Sequence, residues 1–151
     1  MSRQGPAGAG LWSAFWMLGG NIDAVPWPGC GEIDVMEHLG QRPERVFGTV
    51  HCPGHAGRHG ISGDHVAGAD LTTDFHLYGV DWQPDRIAWS LDEDEYFGVT
   101  RDGLGSAWVF DHPFYLLLNL AVGGWLGGDV GADTVFPADL LVEFIRVFAV
   151  D

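Results

Sequence analysis

Apolar and polar positions fall into short runs with no helical rhythm. Leu11–Leu18 (LWSAFWML) is aromatic and bounded by glycine, and alternation puts Trp12, Ala14, Trp16 and Leu18 on one side, which predicts a strand. Glu32–His38, Val46–Cys52, Phe75–Trp82, Arg86–Asp92 and Tyr96–Thr100 also read as strands. Tight connections are expected at Gly40–Glu44, Pro84–Asp85 and Asp92–Asp94. Phe114–Val122 is apolar except for Asn119, as a strand buried on both faces would be, and Leu140–Val150 is expected to be the last strand. Gly19–Gly31, His55–Ala69 and Gly123–Pro137 read as loops, and Trp108–Asp111 has no clear assignment. Seven or eight short strands without helical periodicity predict an all-β fold, an antiparallel sandwich or barrel.

Composition narrows this further. With 46% hydrophobic and 13% aromatic residues, the 151-residue chain has enough apolar material for one core, which excludes a disordered chain. Twenty-three glycines and eight prolines argue against an all-helical fold. The expected organisation is one domain over residues 11–151, preceded by an irregular N-terminus over residues 1–10. No apolar run approaches the ~20 residues that span a bilayer, and the first ten residues lack the features of a signal peptide. Twenty-one acids face seven arginines and no lysine, for a net charge of -14. Such a surface repels phosphate, so neither nucleic acid nor an anionic membrane is expected as a partner.

The segment Gly31-Glu-Ile-Asp-Val-Met-Glu37 carries the chemistry. Three carboxylates interrupt an otherwise apolar strand. In a regular strand Glu32 and Asp34 share a face and Glu37 points the other way. One extra residue at Val35-Met36, a β-bulge, brings all three to the same side. Three clustered acids repel and must hold at least one proton near neutral pH, titrating as a coupled set. Carboxyl groups of unlike protonation suit glycoside hydrolysis. A hard cation or a simply solvated edge strand are the competing readings.

Several segments together resemble glycoside hydrolase family 16, above all its bacterial endo-1,3-β-glucanases or laminarinases: Trp27-Pro28 before GEIDVME, GTVHCPG at 48–54, FHLYGVDWQPDRIAWSLD at 75–92 and FDHPFYLLLNLAVGG at 110–124. The resemblance runs from about Gly10 to the C-terminus. It implies a jelly-roll β-sandwich of the concanavalin A-like kind with a glycan cleft on its concave face, and a retaining mechanism acting on β-1,3 or mixed β-1,3/1,4 glucans. It implies Glu32 as nucleophile, Glu37 as general acid/base and Asp34 as the group that orients and tunes Glu32. It also implies secretion, and no cofactor beyond a structural calcium. Glu143 matches the strand acid that helps hold that calcium in some members, although the usual residue there is Asp. Members of the family carry several strands before the segment that begins here at Gly10, so an N-terminally truncated member is expected, with unpaired sheet edges that favour self-association.

Trp12 and Trp16 have the spacing of sugar-stacking platforms and equally that of core aromatics. The resemblance favours a cleft position for Trp16. Trp125 sits in a glycine loop with little to bury it and is a candidate sugar contact, although GGWLGG lacks the asparagine that usually precedes this tryptophan in the family. A hairpin about Gln41–Glu44 is expected to set His51 across from Asp34, where it can bond a carboxylate or a sugar hydroxyl. The same register brings Cys30 and Cys52 within a few positions, leaving open a disulfide or two thiols. His51, His55 and His59 have the spacing of zinc ligands on a helix, but Pro53 and three nearby glycines argue against a helix there. Besides the hydrolase, the residues leave room for a non-catalytic β-glucan-binding domain and for an inactive remnant.

Overall fold

The architecture comes from a computed structural model and describes residues 2–149, with side chains from Gly5 onward. Ten strands form two five-stranded antiparallel sheets. The strands are β1 (Ser2–Gln4), β2 (Leu11–Gly19), β3 (Glu32–Leu39), β4 (Arg45–His51), β5 (Ile61–Val66), β6 (His76–Gln83), β7 (Arg86–Leu91), β8 (Asp94–Thr100), β9 (Phe114–Val122) and β10 (Leu141–Phe144). One sheet runs β5-β4-β3-β2-β9 and the other β10-β1-β6-β7-β8. The all-β sandwich read from the sequence is the fold observed. Two one-turn helices, α1 (Arg101–Leu104) and α2 (Gly124–Gly127), lie in connections.

Local sequence accounts for the hairpins. Gln83 pairs with Arg86 around Pro84-Asp85, and Leu91 pairs with Asp94 around Asp92 and Glu93, both at positive φ as a twisted two-residue hairpin turn requires. The layer between the sheets is apolar: Ile33, Met36, Val46, Val50, Leu71, Ile87 and Trp89 are fully buried there, with Tyr78 and Phe110. Odd-numbered β4 residues turn the other way. Phe47, Thr49 and His51 line the outer hollow of the first sheet.

Several expectations are corrected. Residues 2–4 are not irregular but form β1, which pairs with both β10 and β6. The segment His55–Ala69 is not all loop, because Ile61–Val66 pairs with β4 along its length. Gly63 and Asp64 are poor strand formers and hid it. Gly63 is there for space, since a Cβ would lie 2.2 Å from the Phe97 ring. The last strand stops at Phe144, and Val147 and Phe148 beyond it are each 80% exposed. β9 is not buried on both faces. Leu116 and Leu118 pair with Met17 and Phe15 and so share the core-facing side, yet they remain 41% and 40% exposed because the second sheet does not cover them. Cys30 and Cys52 are buried free thiols. The register pairing Glu32 with His51 leaves the two cysteines out of direct opposition.

Candidate active site

The bulge assembles the site. Asp34 pairs with Thr49 and Glu37 with Phe47, so Val35 and Met36 together stand opposite Gly48 alone. On the other side Met36 pairs with Phe15 and Asp34 with Trp16, which leaves Val35 as the extra residue. Both bulge side chains enter the core, and Glu37 is returned to the side of Glu32 and Asp34, as the spacing predicts. The opposite sheet holds this kink in place. Trp89 of β7 is fully buried and its indole Nε1 donates to the Asp34 carbonyl at 2.8 Å. Gly48 makes this approach possible, since a Cβ there would sit 2.3 Å from Trp89 Cδ1. Gly31, at φ +77°, turns the chain into Glu32 through a conformation other residues resist.

The three acids have different partners. Glu32 Oε2 accepts from Trp27 Nε1 at 2.7 Å, while its Oε1 faces His51 Nε2 at 3.7 Å. Asp34 Oδ2 lies 3.2 Å from the same imidazole nitrogen. Glu37 accepts from Trp12 Nε1 at 3.1 Å and Thr49 Oγ1 at 3.2 Å. The Thr49 hydroxyl also meets Ser62 Oγ at 2.7 Å, so with its one proton given to Glu37 it must accept from Ser62.

Burial dominates the electrostatics. It pushes Glu32 up from its ordinary 4.5 to about 7, helped by the neighbouring charge of Asp34 and opposed by His51 and the Trp27 bond. Asp34 is raised well above the carboxylate range, first by burial and then by the Glu37 charge. Glu37 is raised by burial as well, against the pull of Thr49, His51 and Trp12. Glu32 and Asp34 lie close enough for each to shift the other's proton affinity. The three groups therefore titrate together.

Two cavities meet at Glu37. One, of about 230 Å³, is lined by Trp12, Trp16, Asn119 and all three acids. The other, of about 360 Å³, is lined by Glu37, Thr49, His51, Arg58 and Trp125 among others. Trp16 lines the first hollow, with its Nε1 on Asn119 Oδ1 at 2.8 Å. Trp12 is neither a bare platform nor a core residue. It bonds Glu37 and meets Trp125 edge to face, ring centroids 5.8 Å apart. Trp125 is 52% exposed. The register differs from expectation for His51, which pairs with Glu32 while Thr49 pairs with Asp34, although its ring still reaches both acids. Glu143 is exposed on β10, and the described cluster of three potential metal ligands (Glu32, Asp34 and His51) does not include it.

Sequence reasoning missed Trp27, Thr49, Ser62, Arg58 and Trp89. Thr49 shares strand parity with His51, which was signal enough to find it. Trp27 and Arg58 come from loops with no periodicity, and Trp89 acts from the other sheet.

The sequence and the fold are both similar to those of known proteins. Residues 1–138 match the family described as Glycosyl hydrolases family 16. A beta-glucanase of Rhodothermus marinus is 39% identical over 153 aligned residues, covering 95% of this chain and 54% of that protein. A beta-1,3-glucan-binding protein of Penaeus monodon is 30% identical, covering 81% of this chain and 41% of its own. Among solved structures, the endo-beta-1,3-glucanase from Pyrococcus furiosus aligns with a TM-score of 0.89 at 50% identity, over 92% of this chain and 56% of that one. The chain spans only 41% to 56% of the length of these three relatives.

Proposed function

The chain belongs to glycosyl hydrolase family 16, and from that premise we propose that it carries the catalytic hollow of an endo-acting, retaining hydrolase of β-1,3 or mixed β-1,3/1,4 glucans. The observation that carries this reading is the bulge at Val35-Met36, which gathers Glu32, Asp34 and Glu37 on one wall. Glu32, as carboxylate, attacks the anomeric carbon while Glu37 gives its proton to the departing glycosidic oxygen, leaving a glycosyl ester on Glu32. Glu37 then takes a proton from water, the water hydrolyses the ester, and both acids regain their starting states.

Surroundings support these roles. Burial favours a retained proton on Glu37, whose place between the two hollows suits a group acting on a bond that spans them. Trp27 and His51 both favour charge on Glu32. Asp34, beside Glu32 and held by Trp89 through its backbone, is the positioning acid. Trp16 and Trp125 offer indole faces along the path of a glycan. A polysaccharide does not cross a membrane, so the substrate is met outside the cell.

Laminarin tests the assignment. Glu32→Ala should abolish release of reducing sugar, and added azide should restore bond cleavage by taking the vacated place at the anomeric carbon, giving a glycosyl azide of inverted configuration. Full hydrolysis by Glu32→Ala would remove the mechanism. Laminarin bound but never cleaved by the unaltered chain would replace the hydrolase with a glucan-binding domain, in keeping with the name of the Penaeus relative.

A further inference from the structure

We propose that Glu32, Asp34 and His51 also form a binding site for a borderline transition-metal dication, zinc above all, and that the bound metal is an inhibitor. One donor atom from each residue lies within 4.8 Å of the others. His51 Nε2 stands 3.2 Å from Asp34 Oδ2 and 3.7 Å from Glu32 Oε1. Ligand atoms at the ~2.0–2.2 Å bond lengths of a tetrahedral zinc centre stand about 3.4 Å apart. Two of the three donor spacings are therefore already near what zinc requires, and the third lies within 4.8 Å.

A second observation points the same way. Asp34 is only 4% exposed, and its Oδ2 has no hydrogen-bond partner while facing the imidazole nitrogen. An unpartnered buried oxygen costs stability, and a cation between it and His51 removes that cost. Glu32 is pre-oriented as well: Trp27 takes Oε2 and leaves Oε1 to the cluster. An outer hydrogen bond of this kind is the usual support of a ligating carboxylate. One imidazole and two carboxylates suit zinc and its transition-metal neighbours better than magnesium or calcium, which prefer oxygen alone.

Inhibition rests on the reading of Glu32 as nucleophile, whereas metal binding does not. A metal on Oε1 occupies the lone pair that would attack the sugar.

Zinc chloride titrated into the full chain at neutral pH, followed by calorimetry, should show one site tighter than the background of surface acids. His51→Gln and Asp34→Asn should each weaken it by more than about tenfold, the least that even outer-shell losses cost. His55→Gln, His59→Gln and the Cys30→Ser, Cys52→Ser pair should leave it unchanged. Cobalt(II) on the unmodified chain gives a readout free of mutational damage, and nitrogen and oxygen ligation without a thiolate charge-transfer band is expected. A thiolate band, a site lost only with the surface histidines, or no saturable site would overturn the proposal. If zinc binds as expected but the metal-free chain never cleaves laminarin, the metal site stands and the hydrolase reading falls. If the metal-free chain cleaves laminarin and zinc at saturation leaves the rate unchanged, inhibition is refuted.

Discussion

Replacing Glu32 by Gln should make the protein more stable, and only at the alkaline side. Free in an unfolded chain, this carboxyl titrates near 4.5, whereas folding moves it to about 7, chiefly by burial and the Asp34 charge. Between those values the folded state binds a proton that the unfolded state has released, so stability falls as pH rises. The group's contribution is complete below pH 4.5 and gone once pH has passed 7. At about 1.4 kcal/mol per pH unit this amounts to about 3 kcal/mol. The side chain keeps 17% of its exposure, and solvent screening trims the figure to about 2 kcal/mol. Urea unfolding of both proteins from acid to mildly alkaline pH checks this. The two curves should run in parallel near pH 4, apart from the fixed cost of the substitution, and Glu32→Gln should gain about 2 kcal/mol relative to the parent by pH 8. A difference that stays constant with pH, or that widens toward acid, would refute the idea that burial holds a proton on this acid.

Other consequences follow from the same geometry. Trp89→Phe leaves the Asp34 carbonyl without its donor and should cost about 1–3 kcal/mol in urea unfolding, with laminarin hydrolysis falling as the bulge relaxes. Trp125→Ala should raise KM for laminarin several-fold with kcat nearly unchanged, the mark of a contact made equally to substrate and transition state. At the β9 edge, sedimentation should detect self-association rising with concentration, and Leu118→Lys should suppress it by charging an apolar, uncovered position. A parent chain that stays monomeric at every concentration would contradict that last expectation.

Much of this was legible because strand parity is a strict rule. The bulge follows from three acids at 32, 34 and 37 inside an apolar strand, where any regular pairing would drive Glu37 into the core. The hairpins were equally readable from Pro84-Asp85 and the acidic turn at 92–94. What resisted were features set by partners distant in sequence. β5 is a strand because β4 offers it a free edge, not because Ile-Ser-Gly-Asp-His-Val favours one. Phe114–Val122 looks doubly buried by composition, yet burial depends on what the second sheet covers. The sequence spacing expects His51 across from Asp34, whereas strand pairing sets it opposite Glu32. The hairpin connection and the bulge at Val35-Met36 together settle that register, and composition does not determine it.

The site belongs to both sheets, although every acid in it comes from one. A strand with two residues opposite one gives up regular pairing, and its bent backbone leaves a carbonyl seeking a donor. Here the donor is Trp89, reaching across the sandwich through the gap that Gly48 leaves, with Phe97 packed against its ring at 4.9 Å and Gly63 clearing space for Phe97. The alignment of Glu37 with Glu32 thus depends on two glycines in neighbouring strands and two aromatics in the facing sheet. Burial on the outer side of the same strand raises the proton affinity of all three carboxyls. Loosening the packing between the sheets should therefore let the bulge relax and turn Glu37 away from Glu32, and a repacked core that left laminarin hydrolysis unchanged would contradict this dependence.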